Sequence, residues 1–215
     1  MTTHSLFSNL VEQIQPVPIG DQIEATQVTL IPQAVREILL DIGEDPYRQG
    51  LRGTPDRVAR MYQEVTSGYS IDPVKLINGA IFDVEYTQPV VVKDIEFYSL
   101  CEHHMLPFFG HVHVSYIPDG KVIGLSKIPR IVEMFSRRLQ IQERMTSEIA
   151  TFINTLLHPK GVAVIVDGAH MCSMMRGVKK AQASMTTSTM LGLFQEDRDL
   201  RTEFIAHIAR SRVDS

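Results

Sequence analysis

Residues 97–117 read FYSLCEHHMLPFFGHVHVSYI. Two strand-like runs flank a polar cluster. Upstream, VVVKDIEFYSLC (90–101) is rich in valine, isoleucine and aromatics. Downstream, GHVHVSYI (110–117) alternates cleanly, the period-two pattern of a half-buried strand. Between them a cysteine, an acid and two histidines stand side by side. PDGK (118–121) then reads as a turn, and two helical segments follow, about Ser126–Arg138 and Gln142–Leu157. The second carries Met145, Ile149, Phe152, Ile153 and Leu156 on one face. HPKG (158–161) ends that run. VAVIVDGAHMC (162–172) reads as a strand, ASMTTSTMLGLF (183–194) as another, and a last helix spans about Asp199–Ala209.

The order β-β-α-α-β-β is satisfied most economically by a four-stranded antiparallel sheet with both helices on one face, an α+β class. The opposite face and the strand edges then need a cover, which the N-terminal helices or another subunit can supply. Ahead of the sheet, Leu30, Val35, Ile38, Leu39 and Ile42 recur at helical spacing. TPDRVARMYQEV (54–65) is a second helix, with Thr54 expected as N-cap, Pro55 at the first helical position and Asp56 in the first turn. DPVKLINGAIF (72–82) suggests a third, short one. PVPIG (16–20) lies in an extended or mobile arm. The expected organisation is an arm at 1–25, a helical extension at 26–85 and the sheet-bearing domain at 86–215.

The 215 residues suffice for one large domain with an N-terminal extension, and 44% apolar with 21% charged is ordinary for a globular chain. A net charge of −4 argues against a general nucleic-acid binder, though a local basic pocket for an anionic small molecule stays open. No basic segment followed by an apolar core opens the chain, and the longest apolar stretch is far short of the roughly 20 residues a membrane span needs. The simplest reading is a cytoplasmic protein with reduced cysteines.

Cys101 and His104 have the Cys-x-x-His spacing that lets two side chains converge on one ion. Cys172 ends a different strand, where alternation places His170 and Cys172 on one face. If the strand ends meet, Cys101, His104 and Cys172 form a Cys2His set, which suits zinc and leaves a fourth position for water. Two distant cysteines equally suit buried core thiols. His111 and His113 also share a strand face and compete as ligands, although a solvated face accounts for them as well. Beside a zinc ion, His103 and His170 could transfer protons near neutral pH. Cations recur at helix starts and strand ends: Ser126, Lys127 and Arg130 in one turn, Arg57 and Arg60 on one face, and Arg176 just after Cys172. Such a set would suit phosphates. No P-loop or dinucleotide fingerprint is present. Gln142 and Glu143 open a helix, where the dipole favours the acid. A carboxylate there could accept the paired hydrogens of a guanine edge.

Four segments together, YRQGLRGTPDRVARMY (47–62), FYSLCEHHMLPFFG (97–110), VIGLSKIPRIVEMFSRRLQIQER (122–144) and GAHMCSMMRGV (168–178), closely resemble GTP cyclohydrolase I in order and separation. The resemblance spans about Gln27–Ile208. It implies the tunnelling fold, with the strand and helix order read above, and a homodecamer of two face-to-face pentamers with active sites between subunits. It implies hydrolysis of GTP to 7,8-dihydroneopterin triphosphate and formate, the entry step to folate and related pterins. By that resemblance Cys101, His104 and Cys172 bind one zinc per subunit, which activates water for attack at guanine C8. His103 and His170 transfer protons, and Glu143 with Gln142 recognises guanine. Lys127, Arg130, Arg176, Arg57 and Arg60 hold the triphosphate, and Ser126 contacts the substrate. His111 and His113 fall outside that set. Two other readings remain open: a tunnelling-fold enzyme acting on another purine or pterin, and a zinc-stabilised scaffold in which His103 and His170 are dispensable.

Overall fold

In the computed structural model, which describes residues 29–210, three α-helices come first, α1 Ile31–Asp41, α2 Thr54–Val65 and α3 Pro73–Ile77, with a 3-10 turn at Ser67–Ser70 between the last two. The expected arm at 1–25 lies outside the described residues. Next come β1 Ile81–Asp83, β2 Val90–Cys101, β3 Pro107–Ile117, β4 Lys121–Ile123, α4 Lys127–Ser136, β5 Leu139–Gln140 and α5 Gln142–Leu157. The chain continues through β6 Gly161–His170, a helical turn α6 Met171–Met174, β7 Met185–Gly192, α7 Leu193–Glu196 and α8 Arg198–Arg210.

The architecture is α+β, with a main sheet ordered β5-β2-β3-β6-β7. Its four long strands are antiparallel neighbours, as the alternation demands. The sheet has five strands rather than four, because the chain returns to its edge after α4. There Leu139 and Gln140 pair in parallel with Leu100 and Cys101. Two residues are too few to carry a strand pattern. A second departure is the small β1–β4 ribbon, pairing Ile81 with Ile123. It takes residues that were expected to extend the third helix. Gly53, not Thr54, occupies the N-cap position of α2, so Thr54 is its first helical residue and Pro55 follows.

Alternation along β6 divides two apolar clusters. Val162, Val164 and Val166 pair with Tyr116, Val114 and Val112 of β3 and face α4 and α5. Ile131, Phe135, Met145, Ile149 and Phe152 complete that core. Ala163 and Ile165 face the other way, against Phe194, Phe204 and Ile208 of α7 and α8. Helices therefore cover part of both faces, not one face alone. The physical reason is that VAVIV is apolar at every position and is buried on both sides. Among the described residues no helix is long and apolar enough to cross a membrane.

α1 rests on α2 and buries none of its own residues. Ile38, Leu40 and Ile42 along it are 58%, 59% and 66% exposed.

Candidate metal centre and active site

The cluster at 101–104 is the connection between β2 and β3. The Cys101 carbonyl accepts from Met105 N–H at 2.7 Å and from His104 N–H at 3.3 Å, and Cys101 N–H donates to the Leu106 carbonyl at 2.8 Å. Met105 takes up the left-handed backbone needed to reverse the chain (φ 54°). This folds His104 back over Cys101, with Nδ1 3.9 Å from Sγ, while His103 Nδ1 lies 3.8 Å from the same sulfur. Glu102 N–H donates to the Gln140 carbonyl of β5, and the Glu102 carboxylate pairs with Arg144 of α5.

β3 and β6 place Phe108 opposite His170, so the end of β6 lies beside the start of β3. The strand stops at His170, and Cys172 stands in the helical turn α6. The expectation that His170 and Cys172 share a strand face is therefore corrected: the backbone turns between them, and only His170 keeps sheet geometry. The turn nevertheless brings Cys172 to Cys101. The ligand atoms of Cys101, His104 and Cys172 all lie within 4.8 Å of one another, the set of that kind found among the described residues. Tetrahedral zinc holds sulfur and nitrogen ligands about 3.6 Å apart, so the set fits with small side-chain adjustment. Burial pushes the Cys172 thiol up, and the hydrogen bond with Cys101 adds to the shift. A thiol must give up its proton to hold a divalent cation, so metal binding at Cys172 would work against this shift. His111 is exposed on the sheet, and His113 accepts the Asp94 N–H on Nδ1 at 3.1 Å, away from the cysteines.

His170 stacks face to face on buried Phe108, with ring centroids 4.6 Å apart and 4° between planes. Its Nε2 lies 2.9 Å from Gln142 Oε1. Burial lowers the proton affinity of His170, and the Glu143 carboxylate opposes that shift. Glu143 is exposed in the first turn of α5. Gln142 was expected beside it at a guanine edge. Its side chain turns inward instead and is 1% exposed. Arg57, Arg60, Arg130 and Arg176 are exposed, as is Ser126 at the N-cap of α4. Lys127 is buried, and its ammonium donates to the Leu76 carbonyl at 2.8 Å. The cations thus include four open ones and one engaged with the backbone. Arg144, Glu102 and Phe108 at the site escaped sequence reasoning, because an ion pair or a stacked ring leaves no spacing signal.

A family model described as GTP cyclohydrolase I matches residues 31–209. The chain belongs to the GTP cyclohydrolase I family. It is a hydrolase of that family. Curated relatives named GTP cyclohydrolase 1 include one from Leptospira biflexa, 55% identical over 171 residues, covering 80% of this chain and 93% of the relative. The protein of Chlorobaculum tepidum is 54% identical over 172 residues, covering 80% and 77%. That of Methylococcus capsulatus is 53% identical over 182 residues, covering 85% and 96%. A solved archaeosine synthase QueF-Like chain aligns at 19% identity and TM-score 0.40, over 48% of this chain and 93% of its own, a likeness too slight to carry fold or function.

Proposed function

We propose that this GTP cyclohydrolase I-family chain converts GTP to 7,8-dihydroneopterin triphosphate and formate at a zinc site of Cys101, His104 and Cys172, set in a tunnelling fold. The observation that carries the reading is the convergence of two thiols and an imidazole from separate segments, with His103 and His170 adjoining them. When bound there, zinc supplies Lewis acidity and draws the pKa of a water towards neutrality.

The chain's own residues orient the substrate and move protons. Glu143 accepts the N1 and 2-amino hydrogens of guanine, a bidentate pairing that fixes the ring's edge. Arg57, Arg60, Arg130 and Arg176 take the triphosphate with Ser126. Lys127 joins them by exchanging the Leu76 carbonyl for a phosphate oxygen. Holding the phosphates at a distance from the ring fixes C8 near the metal set. His103 and His170 carry protons through imidazole opening and formate release, before the ribose rearranges and the pterin ring closes. Imidazoles suit this because they exchange protons near neutral pH.

The exposed apolar side chains of α1 support burial against another subunit, in line with the implied decamer of two pentamers. The experiment is an assay of purified, zinc-loaded protein with GTP, following formate and the neopterin fluorescence that appears after oxidation. Stoichiometric formation of both is expected. Absence of product from fully metallated protein contradicts the reading.

A further inference from the structure

Gln142 is the most completely engaged polar side chain near the site. Its Nε2 has two hydrogens for three acceptors, the Val166 carbonyl at 3.0 Å, the Met185 carbonyl at 2.8 Å and Thr187 Oγ1 at 3.1 Å, so one hydrogen is shared between two of them. Carbonyl oxygens only accept, so the amide cannot be flipped without setting oxygen against oxygen. A closed ring of bonds holds it further. Thr146 Oγ1 donates to the Gln142 carbonyl at 2.7 Å, which leaves Thr187 as the donor in the 2.7 Å contact between the two threonines. The side-chain oxygen is thereby fixed towards His170 Nε2, 2.9 Å away. An amide oxygen only accepts, so Nε2 carries the hydrogen. Phe108 fixes the ring plane from one side.

The sheet makes room for this arrangement. Gly168 shares a strand face with His170, and a Cβ there would fall on Gln142 Oε1. Gly168 has ordinary negative φ, so its glycine serves the close approach and not the backbone.

We propose that Gln142 is a positioning residue that locks His170 in its Nε2–H tautomer, leaving Nδ1 as the ring atom available to the reaction. Gly168 is the complementary position that admits the amide. The inference rests on the proposed function for the chemistry at His170, but its first test does not. Solid-state NMR of zinc-loaded protein labelled with 15N-histidine reads the tautomer directly, the His170 signals being those lost in His170→Ala. Hydrogen on Nε2 and a bare Nδ1 are expected at neutral pH. Hydrogen on Nδ1 overturns the proposal, whether or not the protein turns over GTP.

Gln142→Met removes the lock while keeping side-chain length. A mixed His170 tautomer is expected, with kcat lower by on the order of 100-fold. KM for GTP and zinc content stay near wild type. Gly168→Ala displaces the amide without altering either partner and should give the same pattern. A raised KM with unchanged kcat in Gln142→Met means that Gln142 reads the substrate directly, and overturns the proposal. So does wild-type turnover in either folded variant. If neither variant folds, the wild-type tautomer decides.

Discussion

His170 and Cys172 are two residues apart, yet the end of β6 falls between them, and the proposed function gives them different roles. Cys172→Ala should lose both zinc and turnover, read by metal analysis and the GTP assay together. His170→Ala should keep its zinc and lose about 100-fold or more in kcat, the scale of a missing proton-transfer group. Equal turnover of His170→Ala and wild type contradicts the assigned role. Burial also gives His170 a pH signature. Its folded pKa lies below the ordinary 6.5, so the unfolded chain binds the extra proton first as pH falls. Stability therefore declines as pH drops from about 6.5 through the folded value, because the unfolded state then binds more protons. In zinc-free protein, urea midpoints at about pH 5.5 and pH 7.5 should differ more for wild type than for His170→Asn.

Among the elements, the connection 101–105 and helix α5 are tied by the Glu102–Arg144 ion pair, by Arg144 Nε donating to Gln140 Oε1 at 2.9 Å, and by the backbone bond from Glu102 to Gln140. Both side chains of the pair are partly exposed, so its direct worth to stability is small. Its consequence is orientation: it sets the 101–105 connection against the helix that bears Glu143. Arg144→Met should lower zinc affinity by about 10- to 100-fold in a competition with a chromophoric chelator, while the thermal midpoint moves little. Wild-type affinity in that variant removes the loop-setting role. The four long strands and the two central helices were legible because their apolar periods are long and unbroken. β5 and the β1–β4 ribbon were not, since two or three residues carry no period and form only where tertiary pairing supplies a partner. The candidate set Cys101, His104 and Cys172 could be named from residue types, and the structure brings the three together, but the backbone turn at Met171 could not be foreseen. It follows from the end of the β3 pairing at Phe108, which leaves nothing to hold the next residues in a strand. The inward Gln142 was hidden for a similar reason: only the sheet, through Gly168 and the carbonyls of Val166 and Met185, decides where its amide lies.

At the scale of the molecule, α1 is the element whose chemistry is least satisfied by its own chain. Its apolar residues alternate with charges at helical spacing, yet none is buried. Ile38 and Ile42 lie one turn apart on an exposed stripe. Ile38→Glu with Ile42→Glu should therefore shift the sedimentation coefficient to a smaller species while leaving the secondary structure intact. An unchanged coefficient contradicts the placing of α1 at an interface between subunits. Arg57, Arg60, Arg130 and Arg176 stand exposed on a chain whose net charge is −4, leaving these cations open to an anionic ligand.

In the proposed function the Cys101, His104 and Cys172 set holds the zinc on which GTP turnover depends. Its most direct measurement is formate and neopterin release from one preparation, assayed as loaded, after complete chelation, and after zinc is restored. Turnover, its loss and its return are expected, with one zinc per chain at full activity. Turnover that persists in protein shown to be free of metal contradicts it.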